Sequence, residues 1–473
     1  VMRLFFRVVR VALLPLALCL TGGCAGRPIA DGPNIVILLI DTLRADHLGC
    51  YGYDRNTSPE IDQLASEGVV FENAHAASSW TLPSTASMLT SLYPREHGAM
   101  SITHGISPMA VTLAERLRQA GYDTAAFSAN YSMVTVERGF DCGVDHFELF
   151  VKEGSAVSAD VLNRTRKLAE KYGEIKAVDA EELSSAALKW LDSREDTSRP
   201  VFMYLHYMDP HSPYEPPPPF DTVFDPDYLG TIDGDSIFRA IHMHEFEATE
   251  RDKQHIVALY DGEIAYADSQ IGDFLDALDK RELLEDALVM ITSDHGEELF
   301  DHESIGHGPT LYEEVIRVPL IMWQKRFERP GTTVDSYVSL VDIVPTVLNV
   351  CGIESSGTLR GKPLLPLEDR VSSDTVWAEV DEEKLFYAHK RALIWNNWKM
   401  ITSTRRHELY DIVADPRETN NLYRAKKELA KELLSRMDDF SQKLERRMAP
   451  VLKIDARKLR ELESLGYVSG GKR

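Results

Sequence analysis

Cysteine is scarce in this chain, with five in 473 residues. Two of them, Cys19 and Cys24, fall near the N-terminus, and Cys50, Cys142 and Cys351 stand far apart after that. No CxxC pair or Cys/His zinc-finger spacing occurs, so a disulfide framework is excluded and one bridge is the most that can form. Positive charge is also in deficit: 52 Lys+Arg against 75 Asp+Glu leave a formal net charge of −23. That balance argues against a nucleic-acid binder, which neutralises phosphates with lysine and arginine. It leaves room for a small anionic substrate, because a metal ion and a few cations set the field locally. Internal repeats are lacking. The apolar stretch Val11–Leu20 is interrupted by Pro15 and is too short for a comfortable membrane span.

That stretch follows Arg3, Arg7 and Arg10 and precedes Thr21-Gly22-Gly23, the layout of a signal peptide over residues 1–23. Leu20 to Cys24 resembles a bacterial lipobox, with Leu20 one position further from the cysteine than usual. The expectation is an exported protein of the bacterial periplasm or cell envelope, held to the membrane by lipid on Cys24 through a tether over 24–32. A plain secretory signal is the alternative.

Beyond the tether, Asn34 to Ile40 is a nearly unbroken apolar run that ends at Asp41. Ala287 to Ser293 ends at Asp294-His295, and Pro200 to Leu205 leads into His206 and the Asp209-Pro210-His211 turn. Tyr122 to Ser128 is a weaker run. Such runs fit strands buried on both faces of a parallel sheet. Three of them deliver ligand-type residues at their C-terminal ends, where open α/β sheets bind ligands. Helical patterns cover Ser58–Glu67, Pro83–Leu92, Val111–Ala120 and Tyr260–Leu278, and Phe220 to Glu250 reads as a lid or insertion. After about residue 372 come strand-like pieces (Thr375–Val380, Ala392–Ile401, Glu408–Ile412) and a charged helix near Arg424–Arg447. The division is a catalytic domain over 33–372, a small α+β subdomain over 373–447 and a tail over 448–473. Trp395 and Trp398 read as packing between the two, and Asp381-Glu382-Glu383 as solvated surface.

Asp41, Asp294 and His295 come from distant positions but equivalent strand ends, and so form a candidate metal set. Carboxylates alone suit calcium or magnesium, and the imidazole moves the preference toward manganese, zinc or iron. Thr81, just before Pro83, falls at a helix N-terminus, where the dipole and free N–H groups favour anions. It is either the helix N-cap or a hydroxyl nucleophile activated by a metal.

Four blocks resemble the sulfatase branch of the alkaline phosphatase superfamily: Asn34 to Gly52, Ser79 to Gly98 (SWTLPSTASMLTSLYPREHG), Ser293 to Pro319 and Glu408 to Leu422 (ELYDIVADPRETNNL). The resemblance implies a central, mostly parallel α/β sheet flanked by helices, with a small C-terminal subdomain. It also implies a divalent metal held by Asp41, Thr81, Asp294 and His295, manganese or zinc favoured and calcium or magnesium possible. His211 matches the Pro-His-x-Pro segment that contacts the anionic group, and His307 takes the place of a substrate-binding lysine. Asp209, His211 and His307 are the substrate-side set and the candidate ligands of a second metal.

The departures carry as much as the matches. The family's formylglycine precursor is cysteine or serine followed by Pro-Ser-Arg; here Thr81 stands first, with Thr85 where arginine is usual. Thr42 replaces a second aspartate, and His295 replaces asparagine. These changes resemble superfamily members with a plain threonine nucleophile, and imply hydrolysis of a phosphoric ester, with a sulfuric ester second. Thr81, His211 and His307 are then the catalytic residues and the substrate is a small anionic ester, possibly lipid- or glycan-linked. A phospho-group transferase acting on envelope lipid or glycan, and an inactive binding protein of the same fold, are the alternatives.

Overall fold

The computed structural model describes residues 30–150, 179–234, 237, 248–327, 329–369, 375–382 and 388–452. The expected signal peptide over 1–23, the lipobox-like Cys24 and residues 453–473 of the tail lie outside the described residues.

Strand β1 (Asn34–Ile40) is the pivot of the molecule. Its residues from Ile35 onward are buried, as expected of an apolar strand covered on both faces. Around it, in chain order, stand β2 (Val69–His75), β3 (Asp123–Ser128), β4 (His146–Leu149), β5 (Val201–Tyr207) and β6 (Ala287–Thr292). After the two-residue strands β7 (Glu298–Leu299) and β8 (Ile305–Gly306) come β9 (Arg317–Val318), β10 (Leu320–Trp323) and β11 (Thr332–Ser339). Among the described residues the main sheet runs β11-β2-β10-β6-β1-β5-β3-β4, with β9 on β2. β1 is parallel to β5 and β6, and β10 is antiparallel to its neighbours. Leu39 is level with both His206 and Thr292, so β1, β5 and β6 deliver the residues that follow them to one pole.

The two faces carry separate apolar cores. One holds Ile35, Ile37 and Leu39 with the helix Thr81–Thr90, and the other holds Val36, Leu38 and Ile40 with the helices Ala180–Ser193 and Glu250–Asp279. The last helix begins ten residues earlier than its apolar period predicts, because Thr249 caps it through the Asp252 N–H. The Phe220 side of the expected insertion packs on this helix: Tyr228 stacks on His255 at 3.6 Å, and Asp225 pairs with Arg251.

The C-terminal unit is an antiparallel sheet, β12 (Thr375–Glu382), β13 (Ala388–Trp395), β14 (Trp398–Ser403) and β15 (His407–Asp411), with the helix Lys427–Gln442. Two expectations change here. The single strand expected over Ala392–Ile401 is a hairpin turning at Asn396, whose φ of 52° is left-handed. Trp395 and Trp398 face each other across that turn, with Arg436 over Trp395 at 3.9 Å, and pack against a cluster that joins Leu393 and Met400 of the subdomain to Ala77, Tyr93 and Val341 of the main unit. Glu382 is fully buried and accepts the Ile102 N–H at 2.8 Å, so this part of the acidic run is structural. Cys50, Cys142 and Cys351 are free thiols.

Candidate active site

Asp41 follows β1 directly and is fully buried. His206, inside β5, places Nε2 2.9 Å from Asp41 Oδ2, and Asn130, beyond β3, donates to the same oxygen at 2.8 Å. Asp41 Oδ1 has no protein partner. The next residue, Thr42, has a φ of 57°, a strained conformation for a β-branched side chain. That turn aims its N–H at Asp294 Oδ1, 3.4 Å away. Asp294 Oδ1 also accepts the His295 N–H at 3.0 Å, while Oδ2 has no partner.

His295 spends Nδ1 on the Gly296 carbonyl at 2.9 Å, which leaves the Nε2 lone pair inward. That atom lies 3.4 Å from Asp294 Oδ2, 3.7 Å from Asp41 Oδ1 and 3.3 Å from Thr81 Oγ1. Gly296 is required by the close chain passage: a Cβ there would meet the Glu314 carbonyl oxygen at 2.1 Å. Asp41, Asp294 and His295 are the one histidine, cysteine and acid group among the described residues whose ligand atoms converge this way.

The electrostatics fit a cation-binding site. Burial alone would raise the Asp41 carboxyl; the His206 hydrogen bond and the charges of His211, His206 and His295 outweigh it and hold Asp41 well below the usual range. Burial, followed by the Asp41 charge, pushes Asp294 up to about 7. Unpaired buried carboxylate oxygens are costly without a counter-charge, and among the described residues no lysine or arginine bonds to either aspartate. Two oxygens and one imidazole nitrogen fit a divalent cation.

Thr81 differs from expectation in a way that matters. The helix spans Thr81–Thr90, two residues earlier than Pro83 suggests, and Trp80 takes the cap position without a side-chain cap bond. Thr81 is therefore inside the first turn, and its hydroxyl is turned to His295 rather than used as a cap. Ser84 anchors the same turn by donating to the Asp294 carbonyl at 2.6 Å.

His211 and His307 come together, with ring centroids 5.2 Å apart, and His307 is 4.4 Å from His295. His211 donates Nδ1–H to the Ser212 carbonyl at 2.8 Å. His307 Nδ1 is 3.0 Å from Glu297 Oε1. Burial lowers both imidazoles, His307 to about 4, and raises Glu297 to about 7. Asp209 is buried but does not join these histidines as a ligand-spaced group among the described residues, so the candidate second metal set does not form. Asn130, His206 and Glu297 were given no role from sequence. His206 alone carried a signal, through its place at the end of an apolar run.

A family model described as "Sulfatase" matches residues 33–353, well over half of the chain. The chain belongs to the sulfatase family. A second model, "N-sulphoglucosamine sulphohydrolase, C-terminal", matches residues 307–443 of this sulfatase-family chain. An arylsulfatase of Clostridium perfringens is 26% identical over 441 residues, covering 82% of this chain and 90% of its own. An N-acetylglucosamine-6-O-sulfatase of Bacteroides thetaiotaomicron is 24% identical, covering 89% and 88%. The phosphonate monoester hydrolase of Agrobacterium radiobacter shares the fold at a TM-score of 0.70 and 22% identity, over 86% of this chain and 95% of that one. The sulfatase family typically uses a divalent metal, and Asp41, Asp294 and His295 form a possible site for it in this member.

Proposed function

We propose that this sulfatase-family chain is an exported, metal-dependent hydrolase that cleaves phosphoric esters in preference to sulfuric esters, with Thr81 as nucleophile. The observation that carries the reading is the uncapped Thr81 hydroxyl, 3.3 Å from His295 Nε2 and beside the unpaired Asp41 and Asp294 oxygens. Asp41, Asp294, His295 and Thr81 would hold a divalent cation, whose positive charge would favour the ionised hydroxyl and the charge developing on the ester oxygens. Thr81 Oγ attacks the central atom as the bond to the leaving oxygen breaks; the Thr81 proton passes to His211 or His307, whose imidazoles burial keeps unprotonated, and from that ring to the leaving oxygen. Water then cleaves the Thr81 ester, releasing the acid and restoring the hydroxyl.

Sulfatases and a phosphonate monoester hydrolase share this scaffold, so the nucleophile has to decide between phosphorus and sulfur. A formylglycine hydrate expels sulfate by breaking its own C–O bond. Threonine has no such exit, and water must attack the central atom, a step that His211 and His307 stand ready to assist at phosphorus. Side-by-side kcat/KM values for a matched aryl phosphodiester and aryl sulfate, after loading with manganese or zinc, test this. The phosphodiester is expected to be the better substrate, and peptide mass is expected to show an unmodified Thr81. A preference for the sulfate, abolished by Thr81→Ala, overturns the reading.

A further inference from the structure

Between β6 and β9 the chain presents Asp294, His295, Glu297 and His307 in turn. His307 follows the two-residue pair β7–β8, which has little ladder bonding of its own to fix a side chain. On one side the segment is tied to the Thr81 block, where Ser79 Oγ donates to the Gly308 carbonyl at 2.7 Å. On the other side it is tied to β2, where His75 Nε2 lies 3.1 Å from Glu313 Oε2, and to the C-terminal subdomain. Tyr312 donates to Glu408 Oε2 at 2.9 Å, and the Glu313 N–H donates to Glu418 Oε2 at 2.7 Å. Lys399 donates to Glu313 at 2.9 Å and to Glu418 at 3.0 Å. His302, stacked on Tyr312 at 3.8 Å, lies 3.4 Å from the Glu418 carbonyl.

Glu418 belongs to the ADPRETNNL part of the C-terminal block, a motif to which the reaction assigns no role. Its side chain is buried, and its φ of 50° is left-handed, so its backbone is held in a strained conformation. If cohesion of the two units were all that mattered, an apolar side chain of similar volume would supply it without the cost of a buried carboxylate beside Glu313. What the carboxylate adds is direction, because it bonds one particular backbone N–H.

We propose that Glu418 is a positioning residue for the reaction: through Glu313 and Tyr312 the C-terminal subdomain sets where His307 stands relative to Thr81. The proposal rests on the role given to His307 above. The test is a double-mutant cycle in the full-length, metal-loaded protein, with imidazole ¹⁵N–¹H spectra as a second readout. Glu418→Ala is expected to lower kcat at least about 10-fold with little change in KM or metal stoichiometry, and Glu418→Gln to recover most of it. In a His307→Ala background the same change should cost less than about 2-fold, because its effect passes through the missing ring. The His307 resonances should move while those of His206 stay. Multiplying losses, or unmoved His307 resonances alongside lost activity, overturn the proposal. If Glu418→Ala does not fold, Tyr312→Phe carries the same two readouts with a smaller expected loss. If the wild type hydrolyses no ester, the proposed reaction fails, and the His307 spectra still decide the role of Glu418.

Discussion

Asp41 and Asp294 are buried beside His295; Glu313 and Glu418 are packed beside His75 and Lys399. Each group brings two carboxylates together at low dielectric, where like charges repel strongly. In the second, the Lys399 ammonium bonds both acids and His75 Nε2 approaches Glu313 at 3.1 Å, so the chain supplies its own cation. In the first, the neighbours are two imidazoles, an amide and backbone N–H groups, and one oxygen of each aspartate has no hydrogen-bond partner. The contrast teaches how to tell a binding site from a structural ion cluster: residue types and burial are similar, and the difference lies in which lone pairs remain unspent. A structural cluster ties units together, as the Lys399 group does between β14 and the segment after His307. A site whose ligand oxygens stay unspent is built to accept a cation.

Breaking the first cluster should have the largest effect. Asp294→Ala and His295→Ala are each expected to lose metal and at least about 10³-fold in activity while far-UV circular dichroism is kept, because they remove ligands and not core. Full metal stoichiometry in either variant would show the site assignment to be wrong. Next comes Lys399→Met, which strands two acids without a cation. It should cost about 3–5 kcal/mol in urea unfolding and leave metal binding to Asp41 and Asp294 intact, the reverse of the first result. Loss of metal in Lys399→Met would erase the distinction between the two clusters.

A milder change sharpens the comparison. His206→Ala and Asn130→Ala leave the ligands in place but release Asp41 Oδ2. Metal affinity should fall about 10–100-fold, read by competition with a chelator, with global stability changed far less than in Lys399→Met. The smallest expected effect is a slope. Burial and the Glu313 charge push Glu418 up to about 8, against the Lys399 charge. A carboxyl whose pKa is higher folded than unfolded binds its proton more tightly in the native state, so its contribution is full at low pH and is lost as pH rises from about 4.5 toward 8. Unfolding free energies across that range should decline more steeply in the wild type than in Glu418→Gln.

The sequence was legible wherever one physical signal dominated. Asn34–Ile40 stands as read, and Ala287–Thr292 within one residue, because a strand buried on both faces leaves an unbroken apolar run. Asp41, Asp294 and His295 followed from the strand ends. Helix starts were less clear: Pro83 reads as a first helical position but occupies the third, since any residue of the first turn is free of the i−4 bond that proline cannot make. Glu297 and Glu382 look like solvated acids in the chain, and their burial depends on partners far away in sequence. Asn130 escaped notice because β3 is a short, alanine-containing strand. The division of labour between the two acid clusters was not legible at all, because Lys399 and Glu313 are 86 positions apart and meet only through β14.

The direction of β1 has a mechanical consequence. Asn34 opens the strand at one pole of the sheet and Asp41 closes it at the other, roughly 23 Å away at the usual rise per residue. Tyr122 fastens the entry end by donating to the Pro33 carbonyl at 3.0 Å. Any pull on the chain upstream of Pro33 is therefore taken up along the hydrogen-bonded seams of β1 with β5 and β6, as shear shared over several bonds, before it reaches the reacting atoms. The central strand works as a strut, with its load at one end and its chemistry at the other.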